Sequence, residues 1–326
     1  MDAVLTCMVN DALSSGQIAD LFVKELSVYV GTAGGIAFRE YARAVDTAID
    51  ALEMEPGSPV ILSPLSPREY VTALQRRGYR PLFADVGEQS GCLDPDRIEE
   101  LLQEKPRGMI VHAPFGILPD IERLSSFGVP LIEDLSSGLG AHTGERKFGS
   151  CGRIAIVGLE PEGLITAGGG AIVMGCGKRE LGVLKGLAEG LPRSAFMTDL
   201  NAALGLTQLR GIEQYIQRRR EIGAVYIAAL AKSRYRTLVQ GGDAENVFHS
   251  FPVVFTMGTK DAVTYARKRG VETAEGFADT ALAVADDARK CRNAASLASR
   301  SILFPLYPML GKKNVETVAK ILSTLP

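Results

Sequence analysis

The sequence predicts an α/β fold with a mostly parallel sheet, from two features of its first half and one of its second. Short apolar runs recur along residues 60–173, each followed by a turn and a helix-like stretch. Several runs are apolar throughout instead of alternating, as in strands buried on both faces. After Gly175 that rhythm stops and a smaller α+β pattern takes over.

The expected strands are 60–62, 81–84, 109–111, 130–132, 154–157 and 171–173, with helices at about 39–54, 68–78, 95–103 and 118–127. A long amphipathic helix is expected to start at Thr198-Asp199, good N-cap residues, and to run through Ile212, Ile216 and Ile222 to Tyr226. Beyond it lie a strand at Phe251-Pro252-Val253-Val254-Phe255 and helices at 260–269, 283–299 and 313–324. The polar stretch around Gln240-Gly241-Gly242-Asp243 places the division between a large domain, 1–235, and a small α+β domain, 236–326.

Composition excludes several classes. The 326 residues are 46% hydrophobic and 23% charged, and 36 basic against 38 acidic side chains leave a net charge of −2. Such a balance argues against a nucleic-acid binder. The densest basic run, Arg218-Arg219-Arg220, reads as the solvated face of a helix. Three histidines (His112, His142, His249) speak against a histidine-rich metal site. Five scattered cysteines without a CxxC pair read as reduced thiols of a cytoplasmic protein. Residues 1–16 lack a secretory pattern, and no apolar run reaches the roughly 20 residues that span a bilayer.

Three stretches carry more information. Val129-Pro-Leu-Ile-Glu-Asp134 is an apolar strand ending in two carboxylates, at the strand end where open α/β sheets bind ligands. Phe148-Gly-Ser-Cys-Gly-Arg153 is a turn that feeds a second strand. Gly168-Gly169-Gly170 suits a tight turn before a third. There is neither a GxGxxG nor a Walker lysine motif.

Together these stretches resemble the DegT/StrS-type sugar aminotransferases, pyridoxal-phosphate proteins of fold type I. The resemblance rests on Ile132-Glu133-Asp134, Gly138-Leu139-Gly140-Ala141 and Arg146-Lys147-Phe148-Gly149-Ser150-Cys151-Gly152-Arg153-Ile154. It extends to Phe83-Ala84-Asp85-Val86, Leu93-Asp94-Pro95, Met197-Thr198-Asp199-Leu200-Asn201-Ala202-Ala203-Leu204-Gly205 and Leu303-Phe304-Pro305-Leu306-Tyr307-Pro308. It implies a seven-stranded-type sheet sandwiched by helices, a homodimer, and a role in sugar or polysaccharide biosynthesis.

The same resemblance implies a site that this chain does not reproduce. The family's Schiff-base lysine falls on Gly163, where relatives acting as dehydratases carry a histidine. Lys147 matches a lysine that family members carry besides the catalytic one. The phosphate-holding serine falls on Gly158, and the Gly-Thr phosphate turn on Tyr41-Ala42. The ring-stacking aromatic becomes Pro67, a glutamine becomes Ser137, and the partner-subunit asparagine becomes Ser194, with Phe196 where an arginine is common. Asp134 alone matches, as the carboxylate that would pair with the pyridine nitrogen. Asp134 also has a structural reading, as a cap or turn residue bonding backbone amides.

The expectation is therefore a non-catalytic homologue without a cofactor or metal. It would bind a sugar nucleotide or other small anion, or pair with an active paralogue. In the alternative, an active aminotransferase or dehydratase uses pyridoxal or pyridoxamine phosphate without the usual lysine. Asp134 and Ser137 would then touch the cofactor, and Asp134, Glu160, Glu162 and His142 are the acid/base candidates.

Overall fold

The computed structural model describes residues 2–9 and 14–326. Residues 1 and 10–13 of the N-terminal stretch discussed above lie outside the described residues. The central sheet has seven strands: β1 (Gly34–Phe38), β2 (Pro59–Leu62), β3 (Arg80–Phe83), β4 (Gly108–His112), β5 (Leu131–Asp134), β8 (Ile154–Gly158) and β9 (Ala171–Gly175). A two-residue hairpin, β6 (His142–Thr143) and β7 (Arg146–Lys147), intervenes in the chain. The spatial order is β1-β9-β8-β5-β4-β2-β3, and only β9 runs antiparallel to its neighbours.

β4, β5, β8 and β9 are buried along their whole length, which is why they read as unbroken apolar runs. One face of the sheet packs on a core that includes Phe22, Leu26, Met109, Val157 and Ile216. The other packs on Phe38, Val45, Ile49, Tyr70 and Leu74. A second antiparallel sheet, β10 (Phe251–Val254), β12 (Ser301–Phe304) and β11 (Ala274–Glu275), has its own core with the helices Ile212–Leu230 and Lys312–Ser323.

Local signals explain several boundaries. Asp94 caps the helix Pro95–Leu101 by accepting from Asp96 N at 3.0 Å, with proline at the first helical position. Gly168, Gly169 and Gly170 all have positive φ, 75°, 120° and 89°, so three successive left-handed residues turn the chain into β9. Thr198 caps Asp199–Leu209 as expected, accepting from Asn201 N. The next residue, Asp199, accepts from Gly16 N and Ala19 N and so caps a different helix, Gln17–Val30. Thr198→Ala is expected to cost about 1 kcal/mol of stability, read as a lower urea midpoint with unchanged m-value.

Other expectations need correction. The long helix from Thr198 is two helices, Asp199–Leu209 and Ile212–Leu230, separated at Arg210-Gly211, where the glycine serves as the second N-cap. The helix expected over 283–299 is broken into Asp286–Arg289 and Arg292–Arg300, the latter held by Asp85, which accepts from Asn293 N and Ala294 N at 3.0 Å each. Arg219 is not on a solvated face. It is buried, and its Nη1 donates to the carbonyls of Phe248, His249 and Leu306 while Arg218 and Arg220 pair with Glu221 and Glu245 outside. Burial without a carboxylate partner lowers the Arg219 pKa to about 10. Among the described residues no helix is long and apolar enough to cross a membrane.

Candidate functional site

Adjacent residues of a strand point to opposite faces, and the pair at the end of β5 divides its work accordingly. Glu133 is fully buried and accepts from the backbone amides of Gly149, Cys151 and Gly152. That carboxylate clamps the loop between the hairpin and β8, although burial still pushes its pKa up against the three donors.

Asp134 points the other way and is buried behind Tyr41 and Ser136, which line a cavity of about 400 Å³ at the carboxyl ends of the parallel strands. Its Oδ1 accepts from Ser136 N at 2.9 Å and from Ser136 Oγ at 2.5 Å. Its Oδ2 accepts from the hydroxyls of Tyr41 and, at 2.8 Å, Tyr70. Ser136 Oγ in turn accepts from Gly158 N at 2.8 Å, tying β5 to β8. Both tyrosine pKa values are pushed up, first by burial and then by the Asp134 carboxylate, so both stay protonated donors.

Tyr41 is the first residue of the helix Tyr41–Asp50, and its ring crosses toward β8. A Cβ at Gly158 would stand 3.2–3.3 Å from that ring and 2.8 Å from Ser136 Oγ. Gly158 is thus small because Tyr41 and Ser136 occupy the space above it. At Gly163 a Cβ would come within 2.6 Å of the Ile165 carbonyl oxygen and 3.1 Å of that of Glu160.

Ser137, Pro67, Glu160, Glu162 and Gly163 all line the cavity with Tyr41. Others fall elsewhere. His142 sits in the hairpin, its Nδ1 3.1 Å from the Gly144 carbonyl, and does not line the cavity. Lys147 donates to the Tyr29 carbonyl at 2.8 Å and lies over the Tyr29 ring. Ala42 and Ser194 are exposed outside the cavity lining, and Phe196 stacks on Phe38 at 5.8 Å.

Two histidines that sequence reasoning counted but did not place belong to the site. His112 ends β4 directly beside Asp134 of β5, so its position at a strand terminus next to the singled-out carboxylate was the available signal. Burial lowers its pKa to about 4, against the pull of Asp134. His249 also lines the cavity, with Nδ1 2.9 Å from Ser250 Oγ. Among the described residues no lysine or arginine lines the cavity, whereas Glu69, Glu160, Glu162, Glu275 and Asp279 all do.

A seven-stranded sheet with one antiparallel strand, and a ligand-sized cavity at the strand ends beside a buried aspartate, define a fold of the pyridoxal-phosphate aminotransferase type. The chain belongs to the DegT/DnrJ/EryC1/StrS aminotransferase family, which it matches over residues 1–323. It is similar to a UDP-4-amino-4,6-dideoxy-N-acetyl-beta-L-altrosamine transaminase of Campylobacter jejuni, 24% identical over 78% of this chain and 73% of that protein. It is likewise 24% identical to the 3-oxo-glucose-6-phosphate:glutamate aminotransferase of Bacillus subtilis, over 80% of this chain but only 63% of that one. In fold it superimposes on the aminotransferase TlmJ of Streptoalloteichus hindustanus with a TM-score of 0.88, at 20% identity, over 98% of this chain and 94% of the other.

Proposed function

We propose that this chain is a non-catalytic member of the family that does not bind pyridoxal phosphate. The observation that carries the reading is the saturation of Asp134: two tyrosine hydroxyls and both donors of Ser136 already engage the carboxylate that would meet the pyridine nitrogen. The residues do not fit the cofactor in three further respects. The Tyr41 hydroxyl takes Asp134 Oδ2 and its ring fills the space beside Gly158, the position matched to the phosphate-holding serine. Among the described residues no lysine or arginine lines the cavity to face a phosphate, and five acidic residues line it. The position matched to the lysine, Gly163, faces backbone carbonyls that a side chain would strike.

The same points weigh against the sugar-nucleotide or other anionic ligand expected from the resemblance, since its phosphates would meet Glu160, Glu162 and Glu275, which have no ion-pair partner among the described residues, beside Glu69 and Asp279, which exposed Arg68 pairs. Such a chain would act as a homodimer or paired with an active paralogue.

Mixing the purified protein with excess pyridoxal phosphate is expected to give no visible aldimine band, and borohydride treatment to fix no cofactor on the chain. A reducible band, with a cofactor–peptide adduct located by mass spectrometry at a lysine near the cavity, would overturn the proposal.

A further inference from the structure

Backbone strain gathers where the part built on the second sheet meets the part built on the central one. Among the described residues six besides glycine hold a left-handed φ, and four of them border the cavity. Phe115 (56°), Phe277 (62°) and Asp279 (53°) line it, and Phe248 (50°) precedes His249, which lines it too. Aspartate tolerates that conformation, but a phenylalanine there is an outlier. Such residues persist only where their surroundings over-determine them, and they concentrate at clamps and switch segments.

The surroundings here are those of a strap. The chain leaving β11 is anchored to the second sheet at Gly276, whose N donates to Ser301 O at 3.0 Å. Further on it is fastened to the other part of the molecule. Ala281 N donates to Ser66 O at 2.9 Å, Leu282 N to Pro64 O at 3.2 Å, and Arg68 N to Asp279 O at 3.0 Å. Arg68 Nη1 also lies 3.3 Å from Asp279 Oδ1, but both side chains are exposed, so that pair adds little. Between the two anchors the main hold is the Phe277 ring. Its centroid lies 4.6 Å from that of Phe115, and both rings pack on a cluster drawn from both parts, with Leu65, Val86 and Ile117 from one and Leu238 and Leu297 from the other.

We infer that residues 276–282 form a sprung strap. Burial of the Phe277 ring holds the two parts together over the cavity, while the left-handed backbone at Phe115 and Phe277 opposes that hold. The strap therefore releases as a unit while both sheets stay folded. It does so whether or not pyridoxal phosphate binds, because the opposing forces lie in the backbone and in the aromatic pair.

Amide hydrogen exchange of the full chain tests the strap. The readouts are the three amides that fasten it, Arg68, Ala281 and Leu282, with the β4 and β5 amides as reference. In the unmodified protein the three are expected to exchange roughly a hundredfold or more faster than the reference, through an opening that leaves the central sheet closed. Phe277→Ala removes the ring but keeps a side chain on the left-handed backbone, and is expected to speed them roughly tenfold or more again. Phe277→Gly removes the same ring and relieves the backbone, so its three amides are expected to exchange about fivefold more slowly than in Phe277→Ala. Slow exchange in β4 and β5 verifies that each variant folds. Exchange of the three amides at the same rate as the strands would show that the strap opens only with global unfolding, and would overturn the inference. An unchanged rate in Phe277→Ala, or equal rates in the alanine and glycine variants, would overturn it as well, the first by removing the ring's hold and the second by removing the strain.

Discussion

Asp134→Ala is expected to lower the free energy of unfolding by about 3 kcal/mol, measured by urea denaturation at neutral pH. The carboxylate receives the hydroxyls of Tyr41 and Tyr70 and both donors of Ser136, and Tyr70 is fully buried. Hydrogen bonds to a charged acceptor are about twice as strong as neutral ones, and a buried donor left without an acceptor costs about 1–3 kcal/mol. Two tyrosine hydroxyls would lose their acceptor at once, and Ser136 would keep only its bond from Gly158. The hydroxyls can rotate toward other acceptors, so the sum falls below the full count. The triple variant Asp134→Leu/Tyr41→Phe/Tyr70→Phe is expected to be less destabilised than Asp134→Ala, because it removes the orphaned donors with their acceptor. An aspartate kept only for a cofactor would behave differently: removal would leave stability within about 0.5 kcal/mol. That result would remove the main support for the cofactor-free reading.

The sheet was legible because its chemistry is local. β4, β5, β8 and β9 are apolar on both faces, and a doubly buried strand can be little else. Asp94-Pro95 and Thr198 announced helix starts through caps that act within three residues. Asp134 could be placed at a strand end, and its second reading, a turn residue bonding backbone amides, describes its bond from Ser136 N. Its tyrosine partners were illegible, since Tyr70 lies 64 positions away and Tyr41 lies 93 away, on two different helices. Tyr41 was singled out only as a misfit in a phosphate turn; nothing in its neighbours says that its hydroxyl crosses to β5. Arg219 was misread for the same kind of reason. Its flanking arginines are solvated, and the three carbonyls that bury it come from loops 29 to 87 residues downstream. The break at Gly211 was hidden because the apolar spacing continues across it in nearly the same phase.

Acidification is expected to cost the fold about 3 kcal/mol through His112 alone. Burial lowers its folded-state pKa from 6.5 to about 4, and Asp134 only partly counters this. As pH falls below 6.5 the unfolded chain takes up a proton that the folded chain refuses until about pH 4. The stability that neutral His112 provides is therefore complete above 6.5 and is lost progressively between 6.5 and 4, a gap worth about 3 kcal/mol. His249, also lowered to about 4 by burial and then by Arg219, adds in the same direction, though its partial exposure makes its share smaller. Glu133 opposes them: its raised pKa means the folded state gains a proton first, so its own term improves as pH falls. Urea midpoints at pH 7.5, 6.0 and 5.0 should fall steadily, and His112→Phe, which cannot titrate, should flatten the decline by about 2 kcal/mol over that range, the part of its share lost by pH 5. Direct titration of the His112 ring by NMR discriminates further. A midpoint near 6.5 would mean that the ring is solvated and unburdened by burial. It would then contribute no such slope, and its unpaired nitrogens would be facing water.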